Sequence, residues 1–530
     1  MGIYLNPDNE NFKATLSDKI YVDKSLMLEE LNGILNSPSE KYICVARPRR
    51  FGKTITQNMI AAYYSKGTNS KEIFAKLKIS NSKNFEEHLN KYNVIKIDMN
   101  SEYRNCDDKE NILKFLKEDI LDEFKVQCPD CNIKDRDSIA QCILKVYTQT
   151  KQQFIILMDE YDVLVRESVN GKVNEQFFEE YMNFLNGLFK SDTLKPAIAL
   201  AYLTGILPVV RDKVQSKLNN FREYTMLDAY KLSEYIGFTQ DEVKQLCQQY
   251  DVDFEECKRW YDGYYQNGFE IYNPESVVQT MLSKKFTNYW SKTSTYQVIS
   301  DRLKNNFDGL KDDIIKMLSG NSVDVNVTMF LNTVTDFNVK DDVLTYLIHL
   351  GYLVYDFESR TCRIPNMEIR DEWKNAVTIS AEYEITSKII KNSKELLEKT
   401  IQEDESAVAE SLDMSHIHVS SNKSYNNEDI FQSAIYLSYI YALNKYTVIK
   451  EMTTGKGFAD VVFIPFVPNL PAMIIELKHN KSSETALNQI KEKKYFSSLE
   501  KYSGDLLFVG INYDEQTKKH ECKIEKFLKD

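Results

Sequence analysis

Residues Tyr42–Tyr64 read YICVARPRRFGKTITQNMIAAYY. The opening YICVA is apolar and β-rich, as expected of a strand buried on both faces. The closing ITQNMIAAYY carries a helical pattern. Between them a short loop ends in Gly52-Lys53-Thr54, so the chain passes from strand through loop directly into helix. That setting belongs to the phosphate-binding rule G-x-x-x-x-G-K-[ST], with Arg47 standing where the first glycine is required. Backbone N–H groups at such a helix start cradle phosphate oxygens, and Gly52 lets the backbone come close to them. Lys53 would reach the β- and γ-phosphates of ATP, and the Thr54 hydroxyl would hold Mg2+. Arg50 is expected on the nucleotide as well. The competing reading is a basic surface turn made by three arginines.

A second stretch tips the balance. FIILMDEYD, Phe154–Asp162, is an apolar strand ending in two acids, about 105 residues beyond the loop. Asp159 would bind the Mg2+ shell, and Glu160 would polarise the water that attacks the γ-phosphate. A buried strand ending in a solvated acidic turn is the plainer alternative, but the two features in this order favour an ATPase. Thr204 closes the apolar run before Gly205; it either senses the γ-phosphate or caps the strand. With Asn93–Met99 and Ala197–Leu203, these runs predict an α/β domain around a parallel sheet.

At 530 residues the chain is too long for one core. The pattern predicts a P-loop domain over 1–230, a helical and winged-helix-like middle over 231–391, a connector over 392–424 and a C-terminal domain over 425–530. The net charge is −12, whereas a protein that coats itself with nucleic acid by bulk charge is normally basic. The acidity is uneven: residues 421–530 carry 15 Lys against 14 Asp and Glu. Any DNA contact is therefore expected at a local site near the C-terminus. Nine scattered cysteines point to free thiols in a reducing compartment. The start, MGIYLNPDNE, shows no secretory pattern, and the longest apolar run, Pro196 to Val210, is too short to span a bilayer. The expectation is a cytoplasmic protein with no membrane partner. Self-association is left open.

The segments YVDKSLMLEEL, RPRRFGKT, IILMDEYD, LTGILPV, LNNFREYTM, WYDGYYQNG and YNPESV together resemble the AAA-ATPase-like family of P-loop proteins often fused to a PD-(D/E)XK nuclease-like domain. The family writes its phosphate loop as RPRRFGKT, so Arg47 in place of glycine fits the resemblance. What it implies is an ATP-binding core with Lys53, Thr54, Asp159 and Glu160 in the roles given. Arg211 and Arg222 are candidates for an arginine finger, with a structural role the competing assignment for each.

Near the C-terminus, Tyr446–Lys478 reads YTVIKEMTTGKGFADVVFIPFVPNLPAMIIELK. Two apolar strands, Phe458–Ile464 and Met473–Lys478, flank a proline-rich turn. A hairpin centred on Pro468 sets Asp460 opposite Glu476, with Cβ atoms roughly 4.5–5.5 Å apart on one face. Lys478 shares that face, and Val461, Phe463, Ile474 and Ile475 are expected to wall the spot. Carboxylates so placed repel unless a cation lies between them, and hard oxygens favour Mg2+ or Mn2+. The ion would neutralise phosphate charge and acidify a water that Lys478 orients. This D…E-x-K pattern, inside a helix–three strands–helix–two strands order, is the PD-(D/E)XK signature of a restriction-endonuclease-like domain. Glu428, at the start of the preceding helix, is expected as a further metal ligand, with a solvated helix-start acid the alternative. Gln489 lies in ALNQIKEKKY, which resembles the family's following helix. Glu451 is better read as a solvated strand end.

No arginine follows Arg370, so phosphate contacts here fall to lysines such as Lys456, Lys478, Lys491, Lys493 and Lys494. Cys128 and Cys131 lack a second pair for zinc, and His416 and His418 lack a ligand cluster. WYDGYY reads better as a packed turn than as a base-stacking platform. The expected function is an ATP-hydrolysing P-loop protein whose Mg2+-dependent nuclease domain cuts DNA under ATP control. The rival is an effector ATPase whose nuclease-like domain only binds nucleic acid or protein.

Overall fold

A computed structural model of the chain describes residues 2–169, 172–209, 218–290, 299, 307, 309–330, 337–379, 384–419, 428–454, 457–467, 469–495 and 504–527. They form two units, Met1–Ser294 with Asp324–Ile369, and Thr295–Val323 with Arg370–Asp530.

In the first unit, β1 (Tyr42–Ala46), β2 (Asn93–Asp98), β3 (Phe154–Asp159), β4 (Ile198–Gly205) and β5 (Arg222–Tyr224) form one sheet in the order β2-β3-β4-β1-β5. Every pairing in it is parallel. Uncharged runs of Ile, Leu, Val and Ala leave β1 and β4 wholly buried, and β3 is buried as far as Asp159. The fifth strand, REY, is too short and polar for periodicity to reveal it. Because β4 lies between β1 and β3, the loop after β1 and the acidic end of β3 flank one crevice at the carboxyl edge. Ligands of open α/β sheets bind at such edges. Helix α1 (Lys53–Tyr64) starts directly after Gly52, whose φ of +83° is a left-handed value that suits glycine. Helix α2 (Met99–Asn105) follows β2, capped by Asp98, which accepts from the Asn100 and Ser101 N–H groups. Helix α3 (Val163–Val169) follows β3.

Residues 231–294 and 324–369 fold with this unit, and 295–323 and 370–391 with the other. WYDGYY is a packed turn: the Tyr261 hydroxyl donates to Thr287 O at 3.0 Å and that of Tyr264 to Gly351 O at 2.7 Å. Only Tyr265 is prominently exposed, at 62%. YLIHLGYLVYD runs from the helix Lys340–His349 into the strand Val354–Asp356. This region also grips the phosphate loop. Arg50 Nη1 donates to Tyr289 O at 2.9 Å, Phe51 stacks edge-on to Tyr264 with centroids 5.5 Å apart, and Gly351 closes on the Pro48 ring.

The second unit holds α4 (Glu384–Ile401), α5 (Glu405–Val419), α6 (Glu428–Ser438), β6 (Tyr446–Thr454), β7 (Gly457–Pro465), β8 (Ala472–His479), α7 (Ser483–Glu492), β9 (Leu506–Asp514) and β10 (Lys519–Phe527). The sheet runs β6-β7-β8-β9-β10, with β8 and β9 parallel and the other neighbours antiparallel. Strand alternation divides the side chains. Val461, Phe463, Ile475 and Leu477 pack on the helices through Leu397, Leu412 and Phe431, while Val462, Ile474 and Phe508 pack on Leu487 and Ile490 of α7. Residues 392–419, expected within a connector, are helical except for a break at 402–404. Leu396, Leu397, Val408 and Leu412 are apolar at helical spacing and each is at most 2% exposed.

Gly510 decides how close α7 can come. It pairs with Glu476 in register, and a Cβ there would lie 2.3 Å from Ser483 O. Gly510→Ala is expected to push α7 outward and destabilise this unit by about 1–3 kcal/mol. A lowered melting temperature for the C-terminal transition checks it; an unchanged one would show that the helix shifts freely.

Candidate functional site

Two sites emerge, one in each unit. In the first, the Thr54 hydroxyl donates to Asp159 Oδ2 at 2.7 Å, joining the loop to the end of β3. The other Asp159 oxygen accepts from the Glu160 N–H at 3.0 Å and from the Thr204 hydroxyl. Gln57 Nε2 donates to Thr204 Oγ1 at 3.0 Å. Thr204 is fully buried and commits its hydroxyl to Asp159, so any sensing of phosphate by it would pass through that carboxylate. The two hard oxygens of Thr54 and Asp159 fit a Mg2+ ion. Lys53 donates to Arg47 O at 3.0 Å and Pro48 O at 2.9 Å, curling the loop around its ammonium. Burial pulls its pKa down, with Asp159, Glu160 and Asp162 opposing.

Arg47 explains how the loop opens without its first glycine. It is 1% exposed, and its backbone N–H donates to Gly205 O at 3.0 Å, extending the β1–β4 ladder by one residue. Its Nη1 lies 3.3 Å from Met226 Sδ, and burial lowers its pKa to about 9. Of the three loop arginines, only Arg49 and Arg50 line the adjoining cavity. That cavity measures about 540 Å³, and Lys53, Thr54, Glu160 and Arg104 also line it. Ile20, Tyr21, Phe238 and Val278 supply an apolar portion of its wall, suited to a planar base.

Glu160 sits at φ +46° and accepts from Arg166 Nη2 at 2.8 Å. Arg166 also reaches Asp162 at 3.1 Å, and Asp162 takes the Ile206 and Leu207 N–H groups. The sequence reading missed this pair, although Asp162 and Arg166 stand at the i,i+4 spacing that signals it. Arg222 pairs with Glu40 at 2.6 Å and lies over the Tyr230 ring, which is a structural engagement. Arg211 lies outside the described residues.

In the second unit, β7 and β8 pair with Val461 opposite Ile475 and Val462 opposite Ile474, the register of a hairpin centred on Pro468. Asp460 therefore sits across from Glu476, and its Oδ2 accepts from the Leu477 N–H at 2.7 Å. Lys478 Nζ donates to Glu476 Oε1 at 2.8 Å. The wall differs from expectation. Val461, Phe463 and Ile475 alternate to the opposite face, so Val462, Ile474 and the α7 side chains border the carboxylates. Gln489 turns inward, donating to Glu476 Oε1 and, at 2.9 Å, to the Tyr495 hydroxyl. Tyr495, fully buried, was missed although it ends the ALNQIKEKKY stretch.

Glu476 is 1% exposed, and its Oε2 takes no hydrogen bond among the described residues. An orphaned carboxylate oxygen facing a second carboxylate fits a divalent cation. Among the described residues no group of three or more His, Cys, Asp or Glu converges to hold a metal. The side chains of Glu428, Glu451, His416 and His418, and all of Lys456, lie outside those residues. Lys491 pairs with Glu525 at 2.6 Å, and Lys493 and Lys494 are exposed. Cys128 and Cys131 are free thiols.

Burial, then the nearby Asp460 charge, raises Glu476 to about 7, with Lys478 opposing. The fold thus binds a proton that an unfolded glutamate, titrating near 4.3, releases earlier. The stabilisation is complete below about pH 4.3 and is lost as pH rises through about 7. Melting of the metal-free protein is expected to weaken over that window, and Glu476→Gln to flatten it. An equal slope in both proteins would refute the assignment.

No helix among the described residues is long and apolar enough to cross a membrane. Residues 10–215 match the family described as predicted AAA-ATPase, and residues 426–523 match the PD-(D/E)XK nuclease superfamily. An uncharacterized protein in the vnfD 5′ region of Azotobacter chroococcum mcd 1 is 21% identical over 290 residues, 54% of this chain. The match covers 53% of that relative, so the chain spans about half its length. Among solved structures, Drosophila ORC bound to DNA is 10% identical, with a TM-score of 0.23, over 70% of this chain and 91% of that one. Drosophila ORC bound to GC-rich DNA and Cdc6 is 9% identical, with a TM-score of 0.22, over 81% and 72%.

Proposed function

We propose that this chain, which carries an AAA-ATPase-like domain and a PD-(D/E)XK nuclease-superfamily domain, hydrolyses ATP in its N-terminal unit and cleaves DNA phosphodiesters in its C-terminal unit, the second act gated by the first. The observation that carries the reading is the Asp460–Glu476–Lys478 convergence, in a chain whose other end ties Thr54 to Asp159 at 2.7 Å.

At the first site Lys53 and the loop N–H groups bind the phosphates, Thr54 and Asp159 would hold Mg2+, and Glu160 takes the proton of the attacking water. Arg166 fixes the direction in which Glu160 points. At the second, Asp460 and Glu476 are the residues that would hold a divalent ion, which would supply Lewis acidity to the scissile phosphate. The Leu477 N–H holds Asp460, Gln489 and Lys478 hold Glu476, and the Lys478 ammonium orients the attacking water.

One observation favours the rival, a nuclease-like domain that only binds nucleic acid or protein. The described site offers two carboxylates rather than three, and Lys478 is already tied to Glu476. Calorimetric titration with ATP, followed by cleavage assays on linear and circular DNA with and without nucleotide, separates the two. ATP binding with no metal-dependent cleavage would install the rival; cleavage indifferent to ATP would remove the gating.

A further inference from the structure

We propose that Arg104 is a catalytic residue of the nucleotide site, an arginine finger supplied within the same chain. It rests on the ATPase reading and sharpens it by naming the group that meets the γ-phosphate during transfer.

Topology brings it there. Asp98 ends β2 in register with Asp159 at the end of β3, so α2 begins beside the Asp159-Glu160 pair. Arg104, in the last turn of α2, lines the same cavity as Lys53, Thr54 and Glu160. Most other cations in that wall are already engaged with protein. Lys24 is held by Glu242 at 2.6 Å and by Glu234 O, Arg50 by Tyr289 O, and Lys53 by two loop carbonyls. Arg49 has a partner of its own. Arg104 is exposed, and no described residue takes its guanidinium.

The reaction needs such a group. As the water oxygen bonds to the γ-phosphorus, its proton passes to Glu160. The bond from phosphorus to the bridging oxygen breaks, and ADP leaves with the electron pair. Negative charge grows on the bridging oxygen and spreads over the transferring oxygens. Lys53 is a single point charge, whereas a planar guanidinium spans two oxygens at once.

Arg104→Ala is expected to bind ATP and ADP within a few-fold of wild type, while turnover falls about 10³-fold or more. It is also expected to lose capture of ADP with aluminium fluoride, a transition-state mimic. Arg104→Lys restores neither, because it lacks the fork. Mixing Arg104→Ala with Lys53→Ala is expected to recover nothing, since each chain completes its own site. Turnover by Arg104→Ala within ten-fold of wild type, with Lys53→Ala inactive, overturns the proposal and leaves the ATPase reading standing. Recovery on mixing overturns it too, by assigning the arginine to a neighbour's site. A wild-type chain that binds no ATP removes the reading and the proposal together.

Discussion

Asp460→Ala is expected to abolish metal-dependent DNA cleavage, and Lys478→Ala to reduce it about 10²–10⁴-fold, the range for losing a positioned proton-handling group. Asp460 is bonded to the Leu477 N–H at 2.7 Å on the position facing Glu476. Its removal leaves Glu476 as the single described carboxylate of the site and lowers the charge available to a cation. Lys478→Ala breaks the 2.8 Å pair with Glu476, which is buried and would keep its proton to higher pH. Both substitutions fall at the partly exposed end of the hairpin, so folding should survive, and circular dichroism checks this. Gel assays on supercoiled DNA with Mg2+ or Mn2+ read the effect. Cleavage that persists in both variants would mark a contaminant. Cleavage absent from wild type as well, beside intact ATP turnover, would leave the C-terminal unit as a binding module.

Glu160→Gln is expected to retain ATP while losing about 10²–10⁴-fold in turnover. The amide keeps the size and the left-handed backbone but cannot accept the proton of water. Asp162 keeps Arg166 paired in the variant, so the local structure has little reason to move. Lys53→Ala acts earlier: it removes the ammonium that gathers the Arg47 and Pro48 carbonyls, and ATP binding itself is expected to fail. Nucleotide titration alongside phosphate release distinguishes them. Equal loss of binding in both would show that Glu160 is structural.

Much of this was legible in the residues. Apolar runs located four strands of the N-terminal sheet within one or two residues, because strands buried on both faces leave little room for charge. Centring the hairpin on Pro468 set Asp460 opposite Glu476, and period-two alternation put Lys478 on the same face. The same alternation should have warned that Val461 and Ile475 point away from the site, since odd and even positions part company. The helices over 392–419 were obscured by exposed residues such as Lys394, Glu395, Glu398 and Glu410, and by serines, of which Ser393 and Ser415 are in fact buried. Gln57 and Tyr495 were hidden for another reason. Gln57 meets Thr204, 147 residues along the chain, and Tyr495 meets Gln489 at no regular spacing, pairings that follow from the tertiary fold. Arg166 was legible at i,i+4 from Asp162, but its second bond, to Glu160, was not.

The phosphate loop is fastened at three points, through Pro48 on Gly351, Arg50 on the Tyr289 carbonyl and Phe51 on Tyr264. A loop so bolted has no slack of its own. On the ATPase reading, any recoil of the loop would pass straight to the segments holding Tyr264, Tyr289 and Gly351, which would then serve as the levers of the N-terminal unit rather than its casing.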